Sequence, residues 1–166
     1  MARSALKPAP RPAPRVEGQY PNVPHISRSA LVPYSAERMF ALVGDIERYV
    51  EFLPWCAAAT VHEESDDVVI AELEIARAGL RQRFTTRNAL APPERMTLEL
   101  VEGPFTWFAG EWRFTSLTED ACKVELEMDF EYSGRIARTA LAPMFAKSAD
   151  EQVDAFCARA RSLYGA

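Results

Sequence analysis

The chain has 166 residues, 48% of them hydrophobic, which is the length of one domain with enough apolar material for a sizeable core. No stretch approaches the ~18–20 consecutive apolar residues that cross a bilayer, so a soluble or at most peripheral protein is expected. The net charge of −5 is unevenly divided: residues 1–24 carry 4 bases and 1 acid, and residues 25–166 carry 15 bases and 23 acids. So acidic a domain is expected to bind no DNA, because phosphate contacts need a positive field; a local basic patch remains open.

The N-terminal segment lacks a secretory apolar core; Arg3, Lys7, Arg11 and Arg15 alternate with Pro and Ala. Such a start resembles an organellar transit peptide in charge, but Pro8, Pro10, Pro12 and Pro14 oppose the amphipathic helix that those peptides form. Residues 1–24 therefore read as a disordered, polyproline-like tail, and residues 25–166 as the folded domain. Cys56, Cys122 and Cys157 are odd in number, far apart and in apolar surroundings. They read as reduced, buried thiols of a cytoplasmic protein. His25 and His62 are too few and too separated for a zinc site of ordinary spacing, so no metal is expected.

His25 to Val32 reads as a first strand, followed by a turn at Pro33-Tyr34-Ser35 with Ser35 as a helix N-cap. A short helix places Met39, Phe40 and Val43 on one face. A second, capped by Asp45, runs through Tyr49 and stops at Pro54. Strands are then expected over 60–64, 68–75, 82–90, 96–101 and 106–117, with Gly110 marking a bulge or bend. In the last strand Cys122, Val124, Leu126, Met128, Phe130 and Tyr132 alternate with charged residues, the mark of one buried and one wet face. Arg135 to Tyr164 reads as one long helix, bent near Pro143, with an apolar stripe from Ile136 through Ala140 to Leu163. The expected fold is thus α+β: a curved antiparallel sheet of about seven strands, two short helices after the first strand, and a long C-terminal helix across the concave face. Such a frame tends to leave an apolar cavity, and ligand cavities typically measure roughly 300–1,000 Å³.

Phe52-Leu53-Pro54-Trp55-Cys56, Phe84-Thr85-Thr86-Arg87-Asn88, Gly103-Pro104-Phe105, Trp112-Arg113-Phe114 and Val153-Asp154-Ala155-Phe156 together resemble one family. It comprises the coenzyme-Q-binding START-like proteins of mitochondria and their bacterial relatives, which include the ribosome association toxin RatA. The resemblance runs from about His25 to Tyr164 and implies the helix-grip fold already read from the pattern. It implies non-catalytic binding of ubiquinone or a similar polyprenyl lipid in support of respiratory electron transport. Respiratory membrane complexes would then be partners, with a peripheral place at the inner membrane, or the mitochondrial matrix side in a eukaryote. For some bacterial members it implies instead binding to the large ribosomal subunit and blocking subunit joining.

The cavity candidates are Phe52, Leu53, Trp55, Phe84, Arg87, Phe105, Trp112, Met144, Phe145 and Phe156. Phe52, Leu53 and Trp55 fit either a cavity mouth, with the indole N–H offered to a quinone oxygen, or a packed helix-to-strand corner. Arg81, Arg83 and Arg87 share strand parity and read either as a solvated face or as a basic stripe for rRNA or lipid headgroups. Phe105 and Trp107 share one parity, and Phe108, Trp112 and Phe114 the other, so both faces of that strand are expected to carry rings. Neither histidine lies in a nucleophile motif and no G-x-S-x-G occurs, so no catalytic residue is expected.

Overall fold

The structure is a computed structural model that describes residues 25–165; the expected tail, residues 1–24, lies outside the described residues. Strand β1 (His25–Val32) is followed by helix α1 (Ala36–Gly44) and a 3₁₀ helix (Ile46–Glu51). Six strands come next: β2 (Cys56–Glu64), β3 (Val68–Arg77), β4 (Leu80–Ala91), β5 (Arg95–Glu102), β6 (Phe105–Thr118) and β7 (Ala121–Tyr132). Helix α2 (Arg135–Tyr164) ends the domain. All strand pairs are antiparallel, and the spatial order β1-β7-β6-β5-β4-β3-β2 makes one meander, with β1 returning beside β7.

Local chemistry accounts for most of the joints. The Ser35 hydroxyl accepts from the Arg38 amide at 3.2 Å and starts α1, as its residue type requires. Asp45 does not cap the second helix through its side chain; its amide instead closes α1 by donating to the Leu42 carbonyl. Ala78 and Gly79 form the two-residue β3–β4 turn with φ of 52° and 78°, and Arg77 pairs directly with Leu80. Two positive φ values in sequence are those of the primed turn whose twist matches a hairpin.

Two expectations for β6 need correction. The ladder runs unbroken through Gly110, which pairs with both Leu98 and Met128. A Cβ at Gly110 would stand 3.1 Å from Leu98 Cδ1, so close packing, rather than a bend, accounts for the glycine there. The irregularities lie instead between Phe105 and Trp107 and, at the far end, between Ser116 and Thr118. One extra residue after Phe105 reverses the parity, so Phe105 joins Phe108, Trp112 and Phe114 in the core and only Trp107 faces outward.

The core sits between the concave face of the sheet and α2. All six alternating residues from Cys122 to Tyr132 are buried there, and Phe145 of α2 packs 4.7 Å from the Phe130 ring. Each fully buried side chain of this size contributes about 1.5–3 kcal/mol, which fixes the helix against the sheet. The later part of α2 supplies the fully buried side chains, while Ala137, Leu141 and Ala142 of the first part pack half-buried against the core. From Arg135 to Pro143 no side chain is buried; Ile136 is 85% exposed, and Ala140 is exposed as well. The apolar stripe expected over the whole helix is therefore fully buried from Met144 to Ala160 and continues half-buried at Leu141, but Ile136, Ala140 and Leu163 are not part of it, all three being exposed.

Candidate functional site

The inner side of β4 differs from that of β7. Gln82, Phe84, Thr86 and Asn88 all face inward and are buried, so three polar side chains lie against an otherwise apolar core. Buried polar groups need partners. The Tyr132 hydroxyl donates to Gln82 Oε1 at 2.6 Å, and the Thr86 hydroxyl donates to Asn88 Oδ1 at 2.7 Å. Across from them, the Ser148 hydroxyl donates to the Met144 carbonyl at 2.9 Å and accepts from Arg77 Nη1 at 3.2 Å.

Between these groups lies a small cavity of about 50 Å³, walled by β3 to β7, the 3₁₀ helix and α2. Its polar rim includes Thr86, Asn88, Ser148 and Gln152, and its apolar wall includes Met96 and Trp112. Trp55 also borders it, and the buried indole N–H of Trp55 has no hydrogen-bond partner among the described residues. The volume is far below the roughly 300–1,000 Å³ of an ordinary ligand pocket, so the expected roomy cavity is not what this packing leaves. Phe145 and Phe156 explain the shortfall. Phe145 meets Phe84, Phe105, Phe108, Phe130 and Tyr132, while Phe156 meets Tyr49, Phe52 and Trp112, and these rings fill the concave face from both ends.

Of the cavity candidates, Trp55, Phe84, Trp112 and Phe145 line the cavity. Leu53, Phe105, Met144 and Phe156 are buried in the core without bordering it. Phe52 is half-buried beneath the Arg159 guanidinium, 5.1 Å from its ring centre. Arg87 has the opposite parity to Phe84 and lies half-buried on the convex face, outside the cavity. The polar rim was legible in principle, because Thr86 and Asn88 share the parity of Phe84, and Ser148 and Gln152 lie one turn apart between Phe145 and Phe156.

Arg81 and Arg83 also sit on the convex face, where both are held by Glu74 of β3, at 2.7 Å and 3.3 Å. This pairing holds the Glu74 carboxyl below its ordinary range. Beside them, an open depression of about 290 Å³ includes Arg83 together with Glu72 and Glu102. The stripe is thus largely neutralised. The rest of the convex face is acidic, with Glu111, Glu125, Glu127, Asp129 and Glu131 against Arg113 and Lys123.

No nucleophile is set up around the cavity. Burial pushes the Cys56 and Cys122 thiols up to about 11 and raises the Tyr49 phenol beyond its usual range. The Tyr49 hydroxyl donates to the Val43 carbonyl. His25 pairs with Asp129 at 2.7 Å, and His62 lies 3.9 Å from Glu72, both outside the cavity. Among the described residues no cluster of three or more metal-ligating side chains occurs.

Residues 32–157 match the family model described as polyketide cyclase / dehydrase and lipid transport. The chain belongs to this family. Within it, the chain is 50% identical over 141 residues to the ribosome association toxin RatA of Pseudomonas aeruginosa, covering 85% of this chain and 98% of that protein. It is 24% identical over 143 residues to the mitochondrial coenzyme Q-binding protein COQ10 of Drosophila melanogaster, covering 84% of this chain and 59% of the relative. The solved aromatase/cyclase Zhui from Streptomyces superposes with a TM-score of 0.74 at 20% identity, over 84% of this chain and 96% of that one. That likeness is one of fold. The family is thus housed here in a START-like helix-grip whose concave face is nearly filled.

Proposed function

We propose that this protein binds the large ribosomal subunit and blocks its association with the small subunit, acting in the cytoplasm without catalysis. The observation that carries the reading is the 50% identity along nearly the whole length of a ribosome association toxin. The packing supports it. With a cavity of about 50 Å³ and thiols kept neutral by burial, the described interior offers little room for a ligand and no activated nucleophile. An action through the outer surface is the economical alternative. The test is a sucrose gradient of purified subunits at the magnesium level that favours joining. Added protein should shift material from joined ribosomes to free subunits and sediment with the large one. Unchanged joining, with the protein left at the top of the gradient, refutes the reading.

A second reading is favoured by Trp55. Its buried N–H, without a partner among the described residues and beside the cavity, is the kind of donor that a carbonyl ligand would satisfy. On this reading the protein carries ubiquinone or a related polyprenyl lipid and presents it to respiratory complexes at the membrane. Such a chain fits only if α2 moves away from the sheet, since the present space is several-fold too small. Mass spectrometry of an organic extract of the purified protein tests this. Quinone recovered near one per chain, with no subunit binding, would put the lipid reading first.

A further inference from the structure

We infer that the exposed flank of the first half of α2, carrying Arg135 and Lys147 on either side of Ile136, is the face that docks on ribosomal RNA; this rests on the ribosome-binding reading. On a helix Arg135, Ile136 and Lys147 lie with Thr139, Ala140 and Pro143 within an arc of about 140°, and all six are exposed, whereas Arg138 sits on the other flank. The fold makes no use of that side, because the segment packs on the core through Ala137, Leu141 and Ala142, which lie outside that arc. Nor does the helix benefit from its charges. The first turn holds no acid, although acids, not bases, stabilise a helix start.

Three observations about charge point to an anionic occupant. No acid occurs from Arg135 to Ala149, while three bases do. Of the acids in the next turns, Asp150 is paired with Arg28 of β1 and Glu151 with Arg77 of β3 at 2.9 Å, which leaves Asp154, two turns beyond Lys147, as the one exposed acid on this side without an ion pair among the described residues. Arg135 and Lys147 form no ion pair among the described residues, and Arg138 has only a 3.5 Å surface contact with Glu131. Finally, the opposite side of the molecule repels phosphate, since the convex faces of β6 and β7 present Glu111, Glu125, Glu127, Asp129 and Glu131. A polyanion approaching this acidic domain is therefore steered to the helix side.

The apolar content of the flank selects RNA over a bilayer. Helices that lie in a membrane interface carry a broad apolar face of Trp, Phe and Leu. Here Ile136 is the one large exposed apolar side chain; Ala140, Thr139 and Pro143 around it are small. A small apolar patch with a base at each end fits a phosphate backbone with one sheltered contact.

The experiment measures co-sedimentation of the full chain with purified large subunits across a salt series. The double variant Arg135→Gln with Lys147→Gln should bind at least tenfold more weakly at low salt. Its log–log salt slope should be shallower by between about one and two, because each phosphate contact contributes roughly 0.7–0.9 to the slope. All substituted positions are exposed, so melting temperatures should match the parent, and circular dichroism checks that. Unchanged affinity and slope overturn the assignment, most directly if Arg81→Glu with Arg83→Glu abolishes binding instead. That result would leave the ribosomal reading intact and move its contact to the convex face. A parent that binds no subunits overturns the reading and this assignment together. Parent binding to phosphatidylglycerol vesicles that the α2 variant loses, without subunit binding, makes the occupant a bilayer and overturns the RNA assignment.

Discussion

Arg77, the last residue of β3, reaches across the concave side to α2, with Nη2 2.9 Å from Glu151 Oε2 and Nη1 3.2 Å from the Ser148 hydroxyl. Toward the opposite side of the sheet, Arg28 of the edge strand β1 holds Asp150 of the same helical turn. The two strands flank the concavity, so one turn of α2 is tethered from both sides. The tether is also what would have to release for a large ligand to enter.

The Ser148 contact should matter more to stability than the ion pair. Ser148 is buried, whereas the Glu151 carboxylate is about half exposed and screened by water. Arg77→Met is expected to lower stability by about 1 kcal/mol, and Glu151→Gln by less than half of that, as exposed pairs rarely exceed ~1 kcal/mol. Urea denaturation of both single variants and the double variant measures the coupling. A larger loss from Glu151→Gln than from Arg77→Met would reverse this ranking.

The β3–β4 turn offers an independent gain. Ala78 occupies the left-handed region at φ 52°, where a Cβ costs roughly 1–2 kcal/mol and where Asn or Gly is tolerated. Ala78→Asn should raise stability by about 0.5–1 kcal/mol, and Ala78→Val should lower it by more than 1 kcal/mol. Thermal melts of the two variants decide the point; equal melting temperatures would mean the turn relaxes freely.

The fold was legible because its signals were periodic. The strict alternation from Cys122 to Tyr132 and the helical spacing from Met144 to Ala160 each placed a whole face correctly. What the sequence hid were local interruptions. A one-residue bulge after Phe105 moved that ring into the core against its parity, and no sequence signal distinguishes this from an undisturbed strand. The α2 stripe was over-extended because Ile136, Ala140 and Leu163 fit helical spacing equally well whether or not a sheet lies beneath them. For the site, aromatic residues were read as cavity walls, yet the same rings are what fill the concave face. Volume is set by how Phe145 and Phe156 interdigitate with it, and this depends on the register of β4, β6 and β7. Arg87 illustrates the sign of that problem: a single parity step put it on the convex face.

Burial of the thiols makes stability fall in alkali. Cys56 and Cys122 ionise at about 11 in the folded state, both chiefly because burial disfavours the thiolate. An unfolded cysteine ionises near ~8.5. The folded pKa is raised, so the contribution is fully present below about pH 8.5 and is lost as pH climbs toward 11. Burial raises Tyr49 as well, which steepens the same decline at higher pH. Urea midpoints should thus drop steadily from pH 8.5 to 10.5. In a companion experiment, iodoacetamide at pH 8 should modify half-buried Cys157 before the other two. Equal alkylation rates in the folded protein would show that Cys56 and Cys122 are not shielded as described.

The cavity itself gives the sharpest comparison, because two buried alanines differ in whether they border it. Ala71 on the inner face of β3 lines the space of about 50 Å³, whereas Ala160 on α2 is fully buried and does not. Ala71→Val adds two carbon groups at a strand position that favours branching, and each buried carbon group is worth about 0.8 kcal/mol. If the space is empty, Ala71→Val should therefore raise stability by up to about 1 kcal/mol, the remainder being lost to imperfect fit. Ala160→Phe should instead cost at least ~1–3 kcal/mol, since close-packed neighbours have no room to yield. Ala140→Trp, on the exposed flank, should leave the melting temperature within about 0.5 kcal/mol of the parent. Urea midpoints and lipid recovered per mole of protein are measured on the same preparations. A stabilised Ala71→Val protein that never yields lipid marks the cavity as a packing defect. A destabilised one, losing quinone that the parent retains, would mean the sheet and α2 open around a ligand, and the lipid reading would then displace the ribosomal one.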